Sequence, residues 1–172
     1  MANHNRKDDA MQARIKNMAL RVPDAVEPLQ KLGSLGKGAG IPETTLHMVR
    51  VRASQINGCS VCVDMHSREL EHAGDSRERI LTIAAWRDTP YFTDAERAAL
   101  ALTEAATRLA DRSDPVPDEV WDEAARHYSE SQLAALVVAI AAINAFNRVN
   151  VTSRQISGEW VARIVDAAAH AA

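Results

Sequence analysis

An unbroken apolar run, Leu133-Ala134-Ala135-Leu136-Val137-Val138-Ala139-Ile140-Ala141-Ala142-Ile143, constrains the fold of this chain more than any other feature. Ser129-x-x-Gln132, just before it, is a capping box, the side-chain pattern that satisfies the free backbone N–H groups where a helix starts. A helix opened there is apolar on every face and must be covered all round. Its own domain can enclose it, and subunit contact is an equally economical cover. The run is too short to cross a bilayer, which needs about 20 residues.

The rest of the chain is punctuated as helices too. Alanine is abundant and aromatics make up only 4% of the residues, which disfavours a β-rich fold. Met11, Ile15, Met18 and Leu20 stand near helical spacing across 8–21, and Pro23 stops that piece. A second amphipathic piece over 24–35 runs into Gly33, Gly36, Gly38 and Gly40, a flexible connection without the Lys and Ser/Thr of a phosphate loop. Pro42 suits the first turn of a helix to about Ile56 that buries Leu46, Val49 and Ala53, and Asn57-Gly58 ends it. Cys59 opens the next helix, closed by Gly74, and Asp75 with Glu78 is the cap pair of a helix through Trp86. Thr93-x-x-Glu96 is a second capping box, Pro115-Val116-Pro117 a break, and 118–127 and 159–169 two further helices. The expected fold is all-α, with six to eight helices and no internal repeat.

The length of 172 residues predicts one domain over 1–172, with 1–40 a helical N-terminal extension and 158–172 a C-terminal helix. The net charge of −3, with no Lys/Arg-rich block, gives no reason to expect nucleic acid or an acidic membrane as partner. The N-terminal residues lack the apolar stretch of a secretory signal, so a cytoplasmic chain is expected. Cys59 and Cys62 are the only cysteines, too few and too close for a disulfide scaffold.

That pair carries the chemistry. Helical spacing sets Cys59, Cys62 and His66 along one face, and both cysteines are expected in a first turn, where free N–H groups and the helix dipole stabilise a thiolate. A nearby His can take the thiol proton. Attack on a peroxide O–O bond needs such a thiolate, a proton donor for the leaving alkoxide, and a second thiol to condense with the sulfenic acid. Two alternatives stand beside this. Free cysteines are often just small buried hydrophobes. Zinc could be held by Cys59, Cys62 and His66 with His47 or His72 as fourth ligand, although zinc pairs normally sit on a turn and no second Cys-x-x-Cys is present.

The stretch Val49-Arg50-Val51-Arg52-Ala53-Ser54-Gln55-Ile56-Asn57-Gly58-Cys59-Ser60-Val61-Cys62-Val63-Asp64-Met65-His66-Ser67 resembles the core signature of the alkylhydroperoxidase D-like proteins of the carboxymuconolactone decarboxylase family. The likeness continues from Trp86 to Ala105 and returns at Ile143-Asn144-Ala145-Phe146-Asn147-Arg148, covering about 41–150. The resemblance implies an all-α trimer or hexamer that reduces hydroperoxides without an organic or metal cofactor. It implies Cys62 as the peroxidatic thiol, Cys59 as the resolving one and His66 in the proton relay. An external dithiol, thioredoxin-like or lipoyl-type, would restore the thiols. The family relay usually has a Glu twelve residues before the first cysteine; His47 stands there, and an imidazole supplies no negative charge. Glu43, one turn earlier, could partly substitute or simply favour the helix N-terminus.

Other functions open to such a chain are ring-lactone decarboxylation, which does not depend on a Cys-x-x-Cys, and a non-enzymatic redox-sensing oligomer. Ser54, Gln55 and Asn57 are expected to bond a helix–helix junction. Asp64, His72, His127 and His170 are expected at the surface, and Trp86, Trp121 and Trp160 as core or interface anchors. Glu96 and Arg97 are read as cap and surface charge.

Overall fold

The structure, a computed structural model, describes residues 12–16, 18–34 and 38–170. Among them the regular elements are all helical. The order is α1 (Met18–Arg21), α2 (Pro23–Ser34), α3 (Glu43–Asn57), α4 (Ser60–His72), α5 (Arg77–Thr82), α6 (Asp94–Thr107), α7 (Asp118–His127), α8 (Glu130–Thr152) and α9 (Glu159–Ala169). Tight 3₁₀ turns lie at Ile83–Asp88 and Leu109–Asp111. Both capping boxes form as expected, Thr93 with Glu96 and Ser129 with Gln132.

The helix enclosed nearly all round is α3. Every residue from Thr45 to Val51 is buried, and α4, α6 and α8 surround it. Leu46 and Val49 pack with Leu102, Leu136 and Ile140, while Met48 and Val51 face Leu70, Ile83 and Trp86. The apolar run in α8 is covered on one side only: Leu133, Leu136, Ala139, Ile140 and Ile143 are buried, whereas Ala134, Val137 and Ala141 are exposed. The helix also runs beyond the apolar stretch, so that by length and composition it passes for a bilayer span, a test that core helices pass as well.

Three expectations need correction. Residues 12–16 are not helical. Their polar groups bond to the far end of α8 instead: Arg14 donates from its backbone N–H to Ser153 O at 2.9 Å and from its side chain to Thr152 O at 3.1 Å, and Gln155 donates to Ile15 O at 2.8 Å. Ile15 and Leu20 are exposed, so the apolar spacing there finds no face to bury; residues 8–11 and Gly36 lie outside the described residues. The helix after Gly74 is capped by Ser76 rather than Asp75, and it tightens into the 3₁₀ turn at Ile83, with Ala85 outside helical geometry. Asp75 pairs with Arg79 instead, at 2.5 Å.

Candidate active site

The turn between α3 and α4 presents the cysteines. Gly58 adopts φ +69°, a left-handed conformation that suits glycine, and its N–H and that of Cys59 return to Gln55 O and Ser54 O. Cys59 is therefore the N-cap of α4 and not a member of its first turn. Its Sγ accepts from the Cys62 N–H at 3.3 Å, and Cys62 occupies the first turn itself. The two cysteines are joined as a disulfide with their Cα atoms 5.4 Å apart, an ordinary separation for such a bridge.

The junction beneath is polar and fully paired. Asn57 donates to Asn144 and Asn147, each at 2.9 Å, and Asn147 donates to Ser54 Oγ at 3.0 Å. Gln55 accepts from Arg52 at 3.3 Å. Ser54 and Asn57 hold α3 against α8, as their types suggested, whereas Gln55 bonds within α3 and does not reach the junction. Asp64 departs from expectation: it is half-buried, pairs with Arg68 at 2.7 Å and accepts from Ser157 ahead of α9. Trp86 is core, whereas Trp121 and Trp160 are partly exposed. His72, His127 and His170 are at the surface, and Glu96 serves both its cap and Arg79. Arg97 reaches the backbone oxygens of Phe92 and Thr89.

Cys62 lines a cavity of about 730 Å³ together with His47 and Arg50 of α3, His66 and Glu69 of α4, and Asn150 of α8. Cys59, 1% exposed, packs beneath among Ala53, Val61 and Ile143. Much of the remaining wall is apolar, with Val26, Met65, Phe146 and Trp160. Residues between 13 and 34, before and within α1 and α2, form part of its wall.

His47 and His66 come together as expected, but the group joining them is Glu69. Its Oε2 accepts from His66 Nδ1 at 2.5 Å and from His47 Nδ1 at 3.1 Å. We assign the Nδ1 proton of each ring to that carboxylate, which leaves each Nε2 as the acceptor. Burial would raise Glu69, but the hydrogen bonds from His47 and His66 and the electrostatic pull of the two rings outweigh it and hold the carboxyl well below its usual range. Burial lowers His66 despite the opposing pull of Glu69, so the ring favours its neutral form. Burial also lowers Arg50, while Glu69 and Glu43 act to raise it. The guanidinium donates to Gly33 O at 2.9 Å. Glu43 lies 3.7 Å from His47 Nε2, at the start of α3.

The sequence reading passed over two residues. Glu69 supplies the carboxylate that position 47 lacks, and the only signal for it was His66-x-x-Glu69, one helical turn. Asn150 donates from Nδ2 to Cys62 Sγ at 3.3 Å, and no spacing along the chain connects the two. His47, His66 and Glu69 also offer ligand atoms within 4.8 Å of one another, a set that could take a divalent cation. Against that use, Arg50 Nη1 stands 3.4 Å from His47 Nδ1 and would set a second positive charge beside the ion. Of the residues expected for zinc, His72 lies at the surface, Cys62, His66 and His47 line one cavity, and the two cysteine sulfurs are bonded to each other in this structure.

A family model for carboxymuconolactone decarboxylase matches residues 23–105. The uncharacterized protein YdfG of Bacillus subtilis (strain 168) is 33% identical over 129 residues, which span 75% of this chain and 86% of that protein. A solved structure from Agrobacterium tumefaciens, of unknown function and proposed to be the antioxidant defence protein AhpD, shares 35% identity at a TM-score of 0.79, over 86% of this chain and 99% of its own. The apo debrominase Bmp8 is 23% identical at a TM-score of 0.73, over 87% and 78%, and shares the fold.

Proposed function

This chain belongs to the carboxymuconolactone decarboxylase family, among its alkylhydroperoxidase D-like members, and from that premise we propose that it reduces hydroperoxides through a Cys59/Cys62 dithiol–disulfide cycle. The observation that carries the reading is the shared cavity: Cys62 faces it beside a neutral imidazole and an ionised carboxylate, with Cys59 within bonding distance behind.

In the cycle, His66 Nε2 takes the Cys62 proton, and Glu69 stabilises the imidazolium that results. The thiolate attacks the distal oxygen of the hydroperoxide. The S–O bond forms as the O–O bond breaks, sulfur gives up two electrons, and the imidazolium returns a proton to the departing alkoxide as the alcohol. Cys59 then attacks the Cys62 sulfenic acid, releasing water and closing the disulfide. An external dithiol, thioredoxin-like or lipoyl-type, reduces that bond by two electrons and is itself oxidised to a disulfide. His47 shares Glu69 with His66 and fixes the orientation of the carboxylate.

The roles of the two cysteines are tested by trapping. Reduced Cys59→Ser, given an organic hydroperoxide, should accumulate a sulfenic acid on Cys62 that a cyclic diketone labels. Cys62→Ser should give none. Label on Cys59 in the second variant, at the same rate, would reverse the assignment.

A further inference from the structure

We propose, on the dithiol reading above, that Asn150 is a catalytic residue: its side-chain amide donates to the Cys62 sulfur and favours its thiolate. The contact is 3.3 Å and joins residues 88 positions apart, so it exists only because α8 ends against the start of α4.

The backbone that carries the donor is held in place. The main-chain carbonyl of Asn150 accepts from the Gln155 N–H at 2.9 Å and from Ser153 Oγ at 3.5 Å. The Gln155 side chain in turn bonds Ser153 Oγ at 3.0 Å and Ile15 O at 2.8 Å. The last turn of α8 is thereby closed on itself and on the N-terminal segment. A donor carried on a fixed backbone needs little reorganisation when charge develops at its target.

The contact favours one state of the sulfur over the other. Sulfur in a thiol or disulfide is a weak acceptor, whereas hydrogen bonds to an ion are roughly twice as strong as neutral ones. An N–H aimed at Sγ therefore stabilises the thiolate more than the thiol. The charged and titratable groups that share the cavity act in both directions: Arg50 and Lys16 favour a thiolate, Glu69 opposes it, and His47 and His66 sit between. A neutral donor adds stabilisation without drawing on the Glu69 carboxylate. The two sulfurs also differ. Cys59 Sγ accepts a backbone N–H and lies in the core, while Cys62 Sγ accepts from Asn150 at the cavity wall.

The test uses the full chain with Cys59→Ser, so that a single thiol titrates, and follows thiolate absorbance against pH before any oxidant is added. Asn150→Leu should raise the Cys62 pKa by about one unit and slow reaction with an organic hydroperoxide roughly tenfold on the acid side, with little change once the thiol is fully ionised. A packing role would slow the reaction at every pH without moving the titration. Asn150→Asp has nearly the same shape and keeps the test decisive should the leucine variant fail to fold. Its carboxylate must raise the pKa as well, and an unchanged titration there overturns the proposal. Because ionisation is read without peroxide, a Cys62 that responds to Asn150 yet ignores hydroperoxides would refute the peroxidase reading alone.

Discussion

A carboxylate shared by two imidazoles is the residue-scale feature on which the site turns, and Glu69 holds that place. Glu69→Gln keeps the shape and removes the charge that stabilises His66 as an imidazolium. Stopped-flow measurement should show Cys62 oxidation about 10- to 100-fold slower, the lower range for a positioned acid–base group. The double variant His47→Glu/Glu69→Gln returns the negative charge to α3 and should recover most of that loss. No recovery would mean that the network serves packing alone. The pH dependence of stability carries a definite sign. Burial lowers His66, so between its unfolded value of about 6.5 and its lower folded value the unfolded chain binds more protons, and stability falls as pH falls. Glu69, also lowered in the fold, adds its loss only below about pH 4.3. Urea unfolding should therefore show a decline as pH falls below about 6.5 that His66→Asn reduces. At this scale the cysteines and His66 were legible because their spacing is local, and His47 through the family resemblance, which marks its position on the preceding helix. Glu69 looked like any exposed i,i+3 partner, and Asn150 reaches its sulfur only through the tertiary fold.

At the scale of elements, α3 and α8 meet through amides rather than through apolar contact alone. Asn147, 1% exposed, bonds Asn57 and Ser54 at once. Asn147→Leu removes both bonds and leaves buried partners short, which should cost about 1–3 kcal/mol in denaturant unfolding. The same substitution at exposed Asp122 of α7, away from the junction, should change stability by under about 0.5 kcal/mol. Equal costs at the two positions would deny the junction its role. Most helix ends were readable because glycine, proline and capping boxes act locally, as at Gly58, Thr93 and Ser129. Which helix lies at the centre was not. An apolar run announces itself, yet α3 is the enclosed one, because its His47, Arg50 and Ser54 find buried polar partners that a linear pattern does not display.

For the whole molecule, the uncovered strip of α8 bears on assembly. Val137 is 41% exposed beside Trp121 at 41% and Leu109 at 56%, around a second depression that reaches Ala141 and Ala145. We propose that copies of the chain meet there in a trimer or hexamer, a closed ring that leaves no apolar face open. Light scattering should give a multiple of the monomer mass, and Val137→Glu should reduce it; a monomer at micromolar concentration would return the strip to solvent. The central claim is that hydroperoxide reduction draws its electrons from this one pair of cysteines. It is tested most directly by adding a limiting amount of an organic hydroperoxide to the fully reduced protein and counting thiols lost against alcohol formed. The account predicts two thiols lost per alcohol, a Cys59–Cys62 disulfide as the sole protein product, and no alcohol from Cys62→Ser. Intact hydroperoxide with both thiols still free, or alcohol formed at the wild-type rate by Cys62→Ser, would contradict it.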